Sequence, residues 1–130
     1  LLETTSSCVP PFIQKAGIEA IEGDQTIQKS MYEEYESRRD LVVKGINSIS
    51  GLSCVVPGGA FYVFVNIKKL GMTSEKFCDY ILEDSGVAML PGTSFGHFGE
   101  GFVRICYAVG QNDINDAIQR IKISINKLNF

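Results

Sequence analysis

The run Phe102-Val103-Arg104-Ile105-Cys106-Tyr107-Ala108 is apolar, β-branched and aromatic except for one guanidinium at its centre. That composition predicts a strand packed against other elements. A guanidinium keeps its proton at neutral pH, and enclosing it without an anionic partner costs several kcal/mol. The fold must therefore bring something negative to Arg104. Two readings stay open on spacing alone: a site for a small anion, or an edge-strand arginine paired with a structural Asp or Glu. Strand alternation puts Arg104 on one face with Phe102, Cys106 and Ala108, and the smaller of these leave room beside it. A bidentate contact from arginine to a carboxylate fixes both the position and the orientation of a small acid.

The rest of the chain supplies partners for such a strand. Pro10-Pro11 suits a helix start and Gly23 its end, with Phe12, Ile13, Ala16, Ala20 and Ile21 between them. From Asp24 to about Ser50, apolar or aromatic residues recur at Ile27, Met31, Tyr35, Leu41 or Val42, Ile46 and Ile49, while Glu33, Glu34, Glu36, Arg38 and Arg39 form a solvated face. This predicts a long amphipathic helix capped by Asp24 and stopped near Gly51. Ser53 to Val56 and Ala60 to Ile67 read as adjacent antiparallel strands across the turn Pro57-Gly58-Gly59. Thr73 or Ser74 caps a helix expected to bury Phe77, Ile81 and Leu82 and to end at Ser85-Gly86. Val87 to Leu90 reads as a short strand. From Asp113 onward, Ile114, Ala117, Ile118, Ile121, Ile125 and Leu128 stand at helical spacing. The expected class is α+β: one domain over residues 1–130, with helices packed on a small, mainly antiparallel sheet.

Several functions are excluded by what the chain lacks. A formal charge of −3 and scattered Lys and Arg give no basic patch for nucleic acid. One histidine and four cysteines without a Cys-X-X-Cys pair argue against a zinc site, and no metal ligand is assigned. Cys8, Cys54, Cys78 and Cys106 read as free, mostly buried thiols of a cytoplasmic protein, with no signal segment and no membrane span. Gly96, Gly99 and Gly101 match neither a dinucleotide fingerprint nor a Walker loop, and read as a connection between strands. Ser94 and His97 have no acidic partner for a hydrolase triad, so His97 reads as a loop histidine. Phe61, Tyr62 and Phe64 form a cofactor-stacking platform only if they are exposed, and otherwise read as core. The start at Leu1 without a methionine suggests a fragment or a trimmed chain.

Three segments carry a family resemblance. Pro57-Gly58-Gly59-Ala60-Phe61-Tyr62, the segment from Gly86 to Gly96, and the segment from Gly99 to Ala108 resemble, in order and spacing, the carboxy-terminal part of class I/II aminotransferases. These are the fold type I pyridoxal-phosphate enzymes related to aspartate aminotransferase. The resemblance implies that Arg104 binds the α-carboxylate of an amino-acid substrate and that Pro91 to Gly96 lies at the mouth of the site. It implies that the long helix from Asp24 joins a small domain to a large one, and that Gln14 lies in the segment leading out of the large domain.

The same resemblance implies a parent that uses pyridoxal 5'-phosphate to move an amino group between an amino acid and a 2-oxo acid, as a cytoplasmic homodimer. The family's cofactor lysine sits in a Ser-x-Ser-Lys segment. Lys15, Lys29, Lys44, Lys68, Lys69, Lys76, Lys122 and Lys127 all lack that context. No catalytic or cofactor-binding residue is therefore expected in this chain, which is expected to be inactive alone and not to bind the cofactor. Ser7-Cys8-Val9-Pro10 departs from the Ser-Asn-Pro of many aspartate-type members, so the resemblance does not carry aspartate specificity with it. Another fold type I enzyme, such as a carbon-sulfur lyase or an aminocyclopropane-carboxylate synthase relative, or a non-catalytic small-acid binding module, stays open.

Overall fold

The computed structural model describes residues 8–128. They form two compact units, one ending at Tyr32 and the other beginning at Glu33.

In the first unit, helix α1 spans Pro11–Glu22, with Pro11 at the position where a missing N–H costs nothing. The Gln14 amide donates to the Val9 carbonyl at 2.7 Å. None of α1 is buried, and Phe12, Ile13, Ile18 and Ile21 are exposed. Asp24 caps the next helix as the sequence predicts, its Oδ1 accepting from the Thr26 amide at 2.9 Å. That helix, α2, spans Thr26–Asn47.

The second unit holds the core. Strand β1 (Ser53–Cys54), β2 (Tyr62–Asn66), β3 (Leu90–Pro91) and β4 (Phe102–Cys106) form one sheet in the order β1-β2-β4-β3, with every pairing antiparallel. Helices α3 (Ser74–Ser85) and α4 (Gln111–Lys127) complete it. This is the α+β class that the periodicities predict, with four strands and four α-helices among the described residues.

Alternation along the two long strands divides the sheet into unlike faces. Val63, Val65 and Val103 point inward and are essentially inaccessible. They join Ile46 of α2, Phe77 and Ile81 of α3, and Ile114, Ile118, Ile121 and Ile125 of α4 in one buried cluster. Each such side chain contributes about 1.5–3 kcal/mol by leaving water. Asn47 ties the end of α2 to β1, its amide donating to the Cys54 carbonyl at 3.0 Å and accepting from the Cys54 amide at 2.8 Å.

Several elements differ from expectation for local reasons. The predicted strand at Val87 to Leu90 pairs only at Leu90 and Pro91. The buried stripe of α3 is Ser74, Phe77, Cys78 and Ile81, while Leu82 is 51% exposed. Positions i, i+3, i+4 and i+7 share a helix face, and Leu82 stands a step of rotation beyond it. Of the four cysteines, all free, only Cys78 is buried; Cys8 and Cys106 are exposed. Gly86 ends α3 in the left-handed conformation, φ 70°, as the Ser85-Gly86 signal predicts. Among the described residues no helix is long and apolar enough to cross a membrane, and no cluster of His, Cys, Asp and Glu could hold a metal ion.

Candidate functional site

Arg104 lies at the middle of β4, an inner strand bonded on both sides: it pairs with Phe64 of β2 and with Leu90 of β3. The edge-strand reading therefore falls. So does full enclosure, because Arg104 is half-buried, on the sheet face opposite the core. None of the ion pairs among the described residues involves Arg104.

What meets the guanidinium is aromatic. Its Cζ lies 4.2 Å from the centroid of the Tyr62 ring and 4.1 Å from that of Phe95. The planar, weakly hydrated guanidinium suits such faces, and cation–π attraction contributes about 0.5–2 kcal/mol according to exposure. A ring face engages the plane of the group and leaves its five N–H donors at the edges. Among the described residues no buried side-chain nitrogen lacks a partner, so open donors on Arg104 face solvent. The site is thus a fixed cation with spare donors.

The stacking rings belong to a larger aromatic strip. Phe64 contacts Phe95 edge-on at 5.7 Å between centroids, and Phe102 at 6.4 Å. Tyr62 packs on Phe61 at 4.4 Å, and Lys68 Nζ lies 4.8 Å from the Phe102 centroid. Phe61 and Phe64 are each 40% exposed, so the reading of this segment as core is corrected for these two side chains. In β2, Val63 and Val65 point to the core while Tyr62 and Phe64 point away. Both faces are apolar, and residue type alone cannot say which one is covered.

Phe95 reaches the strip from a loop held by backbone contacts. Two 3₁₀ turns, Gly92–Phe95 and His97–Gly99, connect β3 to β4. Gly92 and Gly99 lie so close that a Cβ on either would overlap the other's backbone. Ser74, fully buried at the start of α3, accepts from the Gly101 amide at 2.9 Å and donates to the Gly99 carbonyl at 3.4 Å. Glu100 reaches back to accept from the Ser74 amide at 3.0 Å, a carboxylate at a helix N-terminus where the helix dipole favours it. Ser74 and Glu100 were not among the sequence-predicted site residues, because 26 positions separate them. Phe95 lies within Pro91 to Gly96, the segment expected at the mouth of the site, although the sequence alone gives its ring no role. Ser94 and His97 are exposed, and His97 stacks on its neighbour Phe98 at 3.8 Å, a loop histidine as expected.

On the far side of the turn from Pro57, Ala60 adopts φ 62°, a left-handed conformation uncommon outside glycine. Its carbonyl accepts from the buried Tyr107 hydroxyl at 2.8 Å, and the Tyr107 amide donates to the Phe61 carbonyl at 2.9 Å. Burial holds the Tyr107 phenol above its ordinary pKa, so it remains the donor.

The described residues do not fit a phosphate-bearing cofactor. Backbone amides at helix starts are the usual phosphate cradle. Here Asp24 occupies the start of α2, Thr73 and Glu100 occupy that of α3, and Asp113 stands in the first turn of α4. Asp24, Glu100 and Asp113 are carboxylates that would repel a phosphate, and at the start of α1 Pro10 and Pro11 remove two of the amide donors.

Comparison with known proteins agrees with the architecture. The family model for aminotransferase class I and II matches residues 4–121. An aspartate aminotransferase of Pyrococcus horikoshii is 44% identical over 116 residues, covering 88% of this chain and 30% of that protein. The crystal structure of the aspartate aminotransferase from Rhizobium meliloti superposes with a TM-score of 0.83 at 36% identity, covering 95% of this chain and 33% of that one. The aromatic aminotransferase from Pyrococcus horikoshii OT3 gives 0.83 at 38%, covering 96% and 34%. The chain thus spans about a third of the length of the relatives it matches. With the family model covering most of its residues and these folds coinciding, the chain belongs to the class I and II aminotransferase family.

Proposed function

We propose that this chain is the small domain of a pyridoxal-phosphate-dependent aminotransferase and that Arg104 binds the α-carboxylate of the substrate. The parent moves an amino group between an amino acid and a 2-oxo acid. The observation that carries this reading is a guanidinium on an inner strand with two aromatic partners, no carboxylate among the described residues and its donors open to solvent. A cation so placed awaits an anion from outside the described chain.

Arg104 would grip both carboxylate oxygens with a planar fork and so fix the direction of the bonds at the substrate's Cα. The aromatic strip would shield that pair from water and strengthen it. Pyridoxal 5'-phosphate, when bound by the rest of the parent, supplies the electron sink for the reaction. The described residues do not fit that group, so the cofactor lysine and phosphate cradle are assigned to the large domain. The 130-residue chain alone is accordingly inactive. Residues 1–130 act as one small domain with the large domain of the same protein as partner, and the parent works as a cytoplasmic homodimer.

The test is Arg104→Ala and Arg104→Lys in the full-length parent, measuring kcat/KM beside the thermal midpoint. Loss of a desolvated, hydrogen-bonded charge pair is worth about 2–5 kcal/mol. That corresponds to a roughly 30-fold to several-thousand-fold fall in kcat/KM. Lysine restores only part, because it keeps the charge without the fork. Near-normal turnover in well-folded Arg104→Ala refutes the assignment.

A further inference from the structure

We infer that Phe95 and Tyr62 are positioning residues: the two rings hold the Arg104 guanidinium by its plane so that its N–H edges point to an incoming carboxylate. This rests on the reading of Arg104 as the carboxylate-binding group and goes further by saying what sets its aim.

An arginine side chain has four flexible torsions, and ordering them costs rotamer entropy. Proteins commonly meet that cost with an acidic partner, as Glu34 does for Arg38 at 2.8 Å. An acidic partner would occupy the same N–H donors that a substrate carboxylate needs. Aromatic faces do not. With Cζ 4.2 Å from one ring centroid and 4.1 Å from the other, Arg104 lies over two ring faces and forms no ion pair among the described residues.

The rings come from different supports. Tyr62 stands on β2, whose pairing with Cys106 places it beside Arg104 on the same face. Phe95 comes from the loop pinned by the Gly92–Gly99 contact and by Ser74 and Glu100. A change in that loop therefore reaches the carboxylate through Phe95. Phe64, edge-on to Phe95 at 5.7 Å and paired with Arg104 across the sheet, backs the arrangement.

The experiment uses the full-length parent and butyrate, a monocarboxylate without an amino group, as competitive inhibitor. Phe95→Leu keeps most of the apolar volume but removes the ring face, Phe95→Tyr keeps the ring, and Tyr62→Leu and Tyr62→Phe form the matching pair. Butyrate should bind roughly 3-fold to 30-fold more weakly to each leucine variant, the span expected for losing one cation–π contact. The ring-keeping variants should restore most of the affinity. The loss should fall on KM and the butyrate inhibition constant more than on kcat.

A second readout is independent of turnover. The Arg104 Nε–H resonance, identified by its absence in Arg104→Lys, should carry a ring-current shift that falls in Phe95→Leu and in Tyr62→Leu and persists in Phe95→Tyr and Tyr62→Phe. If Arg104→Ala abolishes butyrate inhibition while both leucine variants keep it, the positioning role is overturned and the carboxylate assignment stands. If Arg104→Ala itself leaves butyrate inhibition unchanged, the carboxylate assignment fails and this inference falls with it.

Discussion

Gly92 and Gly99 face each other across the loop before β4 with no space for a side chain on either. A Cβ on Gly92 would also stand 2.7 Å from the Phe102 carbonyl oxygen, and one on Gly99 would stand 2.9 Å from the Thr93 amide nitrogen. The obstacles are backbone atoms, which cannot rotate aside as a flexible side chain can. Gly99→Ala should therefore destabilise the chain by about 1–3 kcal/mol, the usual cost of overpacking. Gly58→Ala, where nothing lies within 4 Å, should cost much less. Urea denaturation of both variants beside the parent sequence checks the contrast, and equal midpoints for the two would contradict it.

The thiols should react in an order set by exposure and charge. Burial, with the Asp79 carboxylate adding to it, pushes the Cys78 thiol up to about 11, and burial also raises Cys54. The thiolate is the reactive form, so at pH 8 Cys78 holds about a thousandth of its population ready to react. An aromatic disulfide reagent should label the exposed Cys8 and Cys106 rapidly, Cys54 more slowly, and Cys78 only when the chain is unfolded. Mass mapping of labelled peptides over time tests the order. Early labelling at Cys78 would show that α3 opens readily.

The ion pair between α3 and α4 should give stability a defined pH window. Lys127 Nζ lies 2.8 Å from both oxygens of Asp84. The Lys127 ammonium, with help from Ser124, holds the Asp84 carboxyl below its ordinary 3.8, and Asp84 holds Lys127 above its ordinary 10.5. The depressed carboxyl contributes stability that is complete above 3.8 and lost as pH falls through its folded value. The raised ammonium contributes stability that is complete below 10.5 and lost as pH rises through its folded value. The stability difference between the parent sequence and Asp84→Asn should therefore be flat across the middle of the range and close at acid pH. It should also shrink in 1 M salt, because the pair is partly exposed. A difference that grows on acidification would contradict this.

How much of this could be read beforehand depends on where each signal is stored. Helix α4 was legible because Ile114, Ile118, Ile121 and Ile125 carry its period within one segment, and the caps at Asp24, Thr73 and Gly86 are equally local. Arg104 was legible because a cation in an apolar strand is anomalous wherever it sits. Its neighbours were harder. Phe64 reads as core by type, and only pairing with β4 shows that it shares the face of Arg104, opposite the buried Val63 and Val65. Burial of Ser74 in place of Leu82 depends on Gly99 and Gly101, some 25 residues away, so no periodicity within α3 could reveal it. The expected anion partner of Arg104 followed from assuming enclosure, whereas half-exposure and two rings remove that need within the described chain.

The Tyr107–Ala60 hydrogen bond has a consequence for the fidelity of strand pairing. In β2 Tyr62 and Phe64 on one face and Val63 and Val65 on the other are all apolar, so hydrophobicity alone scarcely distinguishes the native alignment from one displaced by a single residue. Such a displacement would turn Val63 and Val65 outward, drive Tyr62 and Phe64 among the isoleucines and set Arg104 opposite a different partner. The Tyr107 hydroxyl can find the Ala60 carbonyl only in the native alignment, and the left-handed turn at Ala60 presents that carbonyl to it. A phenol wholly inside the core thus acts as a proofreading mark for the opposite surface of the sheet.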